Sequence, residues 1–420
     1  MQKKQAKKVN IKCKGAVSIK RLICIGLVAL IAFCTTAFAQ NNTGSEYDLE
    51  YYERYKNDNI SINVYNWGEY IADGSDDCMD INKEFEKLTG IKVIYTQFAK
   101  NEELYSKLKM NSVSYDVVIP SDYMIARMIK EDMLLPLNFE NIPNFKYIDD
   151  LFKNPSYDAE NKYSIPYTWG TVGIIYNTTM VDGEITSWDS LWDEKYANNI
   201  LMFNNPRDAF GLAELKLGYS LNTEDENELK RAAQELANQK PLVQAYVMDQ
   251  IFDKMQGGEA AIAPYYAGDA LTMIDANPDL DFVVPKEGTN IFTDAAVIPK
   301  SAKNKEAAEM YINFLNEPKV AAENIQYIMY SSPNWAAKEL LPDEIKNSDI
   351  IYPNDELISK TEYFNNLSAE TNTLMDSLWT DMLSFNQSYN KWTMPVFIIG
   401  GLVFSASLIG FKKIKKKKRM

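Results

Sequence analysis

The chain has 420 residues with 44 Lys+Arg against 58 Asp+Glu, a formal net charge of -14 at pH 7, and no histidine. Without imidazole there is no Ser-His-Asp catalysis, and the commonest ligand for zinc and copper is missing. The acidic balance argues against nucleic acid and suits cationic small molecules, although acidity also serves solubility.

Residues 1–39 hold eight Lys/Arg and no acid, then the apolar run "LICIGLVALIAFC" (Leu22 to Cys34) and small residues at Ala37 and Ala39. This pattern predicts a secretory signal cleaved after Ala39. Phe33 precedes Cys34, where a lipoprotein would carry a small residue. Cys13, Cys24 and Cys34 fall in the signal, so the exported chain keeps only Cys78 and forms no internal disulfide. Residues 40–58 are polar without an apolar period and read as a spacer.

From residue 60 strands and helices alternate: strand 60–66, helix 75–89, strand 91–98, helix 101–110, strand 115–120 and helix 121–130. Such alternation predicts a parallel, doubly wound α/β sheet. A second set comprises the strand-like "YSIPYTWGTVGIIYN" (Tyr163 to Asn177), "ILMFNN" at 200–205, helices 206–218 and 223–239, and the short strand 260–265. The strand-like "LDFVVPKEG" and "AAVIPK" follow, then helices 303–315, 318–328, 333–340 and 366–384. Two sets of similar size predict two lobes with a small-molecule cleft between them. At the end, Trp392 to Phe411 is uncharged and abuts "KKIKKKKRM". About 20 apolar residues cross a bilayer, and the basic block is expected to stay cytoplasmic. Removing the fifteen positive charges of 1–39 and 412–420 leaves about -29 for residues 40–411.

The stretch "INVYNWGEYI" (Ile62 to Ile71) starts as a buried strand and ends in Trp67, Gly68, Glu69 and Tyr70. It reads either as an ordinary turn with a half-buried Trp or as a recognition loop at a strand end. Aromatic and acidic residues recur at other element ends: "PSDY" (Pro120 to Tyr123), "NNPRDAF" (Asn204 to Phe210), "YYAGD" (Tyr265 to Asp269), "IFTD" (Ile291 to Asp294) and "MYSSPN" (Met329 to Asn334). Singly, each fits a core aromatic or a helix cap. Together, aromatic faces beside carboxylates fit an elongated organic cation: rings sandwich methylenes and attract ammonium, and carboxylates pair with it.

"VYNWGEYI", "YDVVIPSDYM", "YSIPYTWG", "TSWDSLW", "VVPKEG" and "IPKSAKNKEAAEMYINFLNEP" occur in an order that resembles the bacterial spermidine/putrescine-binding proteins of polyamine ABC transporters, from about Ile60 to Asp381. The resemblance implies an α/β, two-lobed type II periplasmic-binding-protein fold with the ligand cleft between lobes. One lobe is expected at 59–168 and 294–332, the other at 169–293 and 333–388, followed by the transmembrane helix 392–411 and basic tail 412–420. It implies that Trp67, Gly68, Glu69, Tyr70, Ser121, Tyr123, Asp208, Tyr266, Asp269, Phe292, Asp294 and Tyr330 line the cleft. No catalytic residue, metal or cofactor is implied. Spermidine-preferring members carry an acid where Asn205 stands and a Gln at the position of Phe364. Asp269 fits the putrescine-preferring branch, so the lean is to putrescine. The implied partners are the polyamine, ABC permease subunits with their ATPase, and the membrane through the C-terminal helix, with the protein itself a monomer and its binding domain extracellular or periplasmic. A different cationic amine, a sugar, a sensory role, or a carboxylate-based glycosidase using Glu69 and Asp294 remain as alternatives.

Overall fold

A computed structural model of the protein describes residues 47–110 and 113–384. The expected signal, membrane segment 392–411 and basic tail lie outside the described residues. Among the described residues no helix is long and apolar enough to cross a membrane.

The segment read as a spacer is packed structure from Tyr47 onward. Helix α1 (Leu49–Tyr52) is capped by the Asp48 carboxylate, and Tyr52 is wholly buried. Its ring meets Phe314 edge-on at 5.9 Å, and its hydroxyl donates to Glu317 Oε1 at 2.7 Å. One helical turn is too short to show a period, and its burial depends on residues some 260 positions away.

Next come β1 (Ser61–Trp67), α2 (Ile81–Thr89), β2 (Lys92–Phe98), α3 (Asn101–Met110), β3 (Val117–Val118) and α4 (Asp122–Lys130). Strand β1 pairs in parallel with both β2 and β3. Helix α2 starts later than expected because Asp80 is its N-cap, accepting from Lys83 N at 2.9 Å. Strand β3 is shorter than the predicted 115–120 because the Asp116 carboxylate takes the Asn63 N–H at 2.8 Å and Pro120 has none to give.

The chain continues through β4 (Ser164–Asn177), β5 (Ile200–Phe203), α5 (Pro206–Leu217), α6 (Glu226–Gln239), β6 (Val243–Val247), α7 (Ile251–Gln256), β7 (Ile262–Tyr266), α8 (Ala267–Ala276), β8 (Leu280–Val283) and β9 (Thr289–Val297). The sheet order is β2-β1-β3-β9-β4-β7-β5-β6. Its two flanks are parallel, but β9 runs antiparallel to β3 and β4, and β4 antiparallel to β7 and β8. The expectation of a parallel sheet is therefore corrected at the centre. The chain leaves one flank along β4 and returns along β9, so these strands run in opposite directions and pair directly, without a crossover helix. Residues 164–171 of β4 pair with β9, and residues 172–177 with β7 and β8. Nearly every residue of β4 and β9 is buried, as central strands covered on both faces require.

The last elements are α9 (Lys305–Leu315), α10 (Pro318–Ile328), α11 (Trp335–Leu340), α12 (Asp343–Lys346), α13 (Asp355–Ile358), β10 (Thr361–Glu362) and α14 (Ala369–Ser384). Residues after 333, where a lobe boundary is expected, still touch the first flank. Asn334 caps α11 and also donates from Nδ2 to the Asn316 carbonyl at 2.9 Å, while Trp335 meets Tyr147 edge-on. Tyr352 still packs on Trp169, at 6.2 Å. The chain joins the other flank where β10 pairs with β9 and α14 packs on α5 and α6.

Candidate ligand-binding cleft

The strand ends of both flanks converge on a cleft enclosing about 610 Å³ of atom-free space, part of it open solvent. Strand β1 delivers Trp67, whose ring packs on Phe98 at 4.5 Å and whose buried Nε1 has no hydrogen-bond partner. The backbone then turns through Glu69, at φ 49°. The Glu69 side chain is exposed and does not line the cleft, contrary to expectation. The turn instead brings in the buried Tyr70, whose hydroxyl donates to Asp294 Oδ2 at 2.7 Å and lies 2.5 Å from Thr168 Oγ1.

At the start of α4, Ser121 Oγ and the Tyr123 hydroxyl each accept from Asn101 Nδ2 at 3.1 Å. Asp122, between them, accepts from Tyr123 N at 2.6 Å and Thr293 N at 3.1 Å, which ties this flank to β9. Across the cleft, Asn205 caps α5 by accepting from Arg207 N, and its Nδ2 donates to Asp208 Oδ2, to which Tyr266 also donates at 3.0 Å. Asn205 thus holds Asp208 in place.

Strand β7 ends at Tyr266, and α8 opens with Ala267, Gly268 and Asp269. A Cβ on Gly268 would lie 2.3 Å from Cδ2 of Tyr330, so only glycine lets that ring settle beside Asp269. Tyr330 meets Tyr70 edge-on at 4.8 Å, and Phe292 meets Tyr266 at 5.5 Å. Phe364 closes the far wall against Tyr123 at 5.9 Å, with the Arg207 guanidinium 4.1 Å from its ring centre.

The structure brings together in one cleft every residue implied by the resemblance except Glu69. It adds Ala99, Asn101, Asp122, Met248, Asp249, Tyr265, Asn290 and Phe364. Asp249 lies in a turn after β6, an element the sequence reading missed. β6 has no clean alternation of burial, but "YVMD" repeats the pattern of an apolar strand ending in an acid.

Five aspartates line the cleft, and no lysine or arginine does. Burial, with the Asp294 charge nearby, pushes Asp122 up to about 8. Burial likewise raises Asp208 to about 7, against the Tyr266 hydrogen bond, and Asp294 to about 6, against the Tyr70 hydrogen bond. Asp269 is held well above the usual carboxylate range by burial and by the Asp249, Glu69 and Asp294 charges. Asp294 is 4% exposed, and its Oδ1 has no hydrogen-bond partner. Such a site gains most from a cation that pairs these carboxylates. Among the described residues no three His, Cys, Asp or Glu side chains converge as metal ligands.

The model of the bacterial extracellular solute-binding proteins matches residues 113–361. The spermidine/putrescine-binding periplasmic protein of Salmonella typhimurium is 39% identical over 312 residues, covering 74% of this chain and 88% of that protein. A putrescine-binding periplasmic protein of Pseudomonas aeruginosa is 32% identical over 346 residues, covering 78% and 93%. The solved spermidine/putrescine ABC transporter substrate-binding protein of Streptococcus pneumoniae superposes with a TM-score of 0.66 at 38% identity, covering 77% of this chain and 98% of that one. The relatives are binding proteins rather than enzymes, and the glycosidase alternative falls away. With its periplasmic-binding-protein α/β architecture, the chain belongs to the bacterial extracellular solute-binding proteins, in the spermidine/putrescine-binding group.

Proposed function

We propose that this chain captures a polyamine outside the cell, closes on it, and delivers it to the permease of an ABC importer. The observation that carries this reading is the cleft lining: five aspartates and a ring of aromatic side chains, with no basic residue. Ammonium groups pair with the acids while Trp67, Tyr266, Phe292 and Tyr330 pack on the methylenes. Ligand favours closure only through tighter binding to the closed form, and acids contributed by both flanks provide that difference.

Putrescine is the preferred ligand on this reading. The Asp294 charge contributes to raising Asp269, as is expected of two acids placed around one ammonium. Asn205 and Phe364 stand where spermidine-preferring members carry an acid and a Gln. The uncharged stretch Trp392 to Phe411 before seven Lys/Arg supports tethering of the exported protein through its C-terminus.

Isothermal titration of the purified full-length chain in detergent tests the reading. Putrescine and spermidine are expected to give saturable heat, to compete with each other, and to be unaffected by maltooligosaccharides. Absence of heat with both amines at low salt would remove the polyamine assignment. Protease treatment of intact cells tests the tether: the body is released and a short C-terminal fragment stays with the membrane.

A further inference from the structure

Gly68 and Asp249 come from opposite flanks of the sheet and meet at the cleft mouth. Gly68 follows β1, and Asp249 lies in the turn between β6 and α7. A Cβ built on Gly68 would lie 2.6 Å from Asp249 Oδ2 and 3.3 Å from its Cγ. The backbone of Gly68 is not left-handed, so no conformational demand explains the glycine. What it provides is room, and the Asp249 carboxylate occupies that room.

Asp249 is solvent-exposed yet lines the cleft, and no lysine or arginine lines it with Asp249. Its electrostatic neighbours are acids: partial burial and the Glu69 carboxylate push it upward, and its own charge in turn opposes ionisation of Asp269. The cleft therefore gathers like charges from both flanks at its mouth. A second, independent observation lies deeper in the same cleft, where Asp294 is 4% exposed and its Oδ1 has no hydrogen-bond partner.

We propose that Asp249, admitted beside the main chain by Gly68, is a further ligand-binding residue that pairs with the outer ammonium of a linear polyamine while Asp294 and Asp269 hold the inner one. Asp249 then sets a carboxylate of one flank against the main chain of the other, so a cation at the mouth favours the closed form and an uncharged chain end does not.

This inference rests on the polyamine reading and refines it. Titrating the full-length chain with putrescine and with 1-aminobutane separates the two ends of the ligand. Asp249→Asn is expected to weaken putrescine at least fivefold while changing 1-aminobutane, which keeps only the inner ammonium, by less than twofold. Gly68→Ala is expected to weaken putrescine in the parent chain but to add little in an Asp249→Ala background, because the carboxylate that the new Cβ displaces is already gone. Equal weakening of both ligands by Asp249→Asn would make the residue structural and overturn the inference, as would unchanged putrescine affinity. A parent chain that binds no polyamine defeats the underlying reading; one that binds and is indifferent to Asp249 defeats this inference alone.

Discussion

The Tyr70 hydroxyl donates to Asp294 Oδ2 at 2.7 Å, linking the loop after β1 to the central strand β9. This bond holds one oxygen of the buried carboxylate, while Oδ1 has no hydrogen-bond partner. Tyr70→Phe removes the donor and leaves Oδ2 unsatisfied unless Asp294 takes a proton. We expect about 1–2 kcal/mol weaker polyamine binding by titration calorimetry. Asp294→Ala, which deletes the ammonium partner itself, is expected to cost at least ~2 kcal/mol. Unchanged affinity in the alanine variant would remove Asp294 from the site.

The raised aspartates imply a pH dependence of definite sign. Asp294 and Asp208 titrate at about 6 and about 7 in the folded chain, above the ordinary carboxylate value of about 3.9 in an unfolded one. The folded protein therefore binds more protons, and the stability these groups contribute is full below the unfolded value and lost as pH rises through the folded ones. Melting temperature of the free protein is expected to fall between about pH 4 and about pH 7. Putrescine affinity should rise across the upper part of that window, because pairing requires the ionised carboxylates. Asp294→Asn should flatten the lower part of both profiles; thermal melts with and without putrescine read them.

Gly268→Ala tests the close approach beneath Tyr330. The added methyl would meet the ring at 2.3 Å, so either the ring moves away from Asp269 or α8 shifts. Overpacking of this kind costs about 1–3 kcal/mol. A lower melting temperature with weaker polyamine binding is expected. A fully stable, fully active Gly268→Ala protein would show that the ring is free to move.

Asn205→Asp probes ligand choice. Aspartate caps helices as well as asparagine does, so α5 is expected to keep its start. The change replaces the amide that donates to Asp208 with a second carboxylate. Competition titration is expected to move the preference toward spermidine, whose additional ammonium relieves the new repulsion. A shift toward putrescine would contradict this view of the cleft's far end.

Local patterns made much of the molecule legible. In "INVYNWGEYI" the alternating apolar residues mark β1, and the Trp-Gly-acid-Tyr ending marks a chain leaving the sheet, because side-chain periodicity and turn chemistry act over a few residues. Helix 101–110 was legible to the residue. The run of aromatics and acids at strand ends suits a cationic ligand irrespective of fold, since charge pairing and ring stacking depend on residue type. Other features were hidden. Tyr52 looks like part of a polar linker until Phe314 and Glu317 are brought to it. Glu69 and Tyr70 are adjacent in sequence, yet one is exposed and the other buried, because the backbone turn at 69 separates them.

By itself, then, the sequence determined the α/β alternation and the family, both of which reside in short-range order and residue type. Tertiary structure alone decided the antiparallel centre of the sheet, the pairing of β10 with β9, and the meeting of Gly68 with Asp249. Each of these depends on which distant strand ends share a cleft. That is set by the summed packing of β4 and β9 at the middle of the sheet, not by any local run of residues.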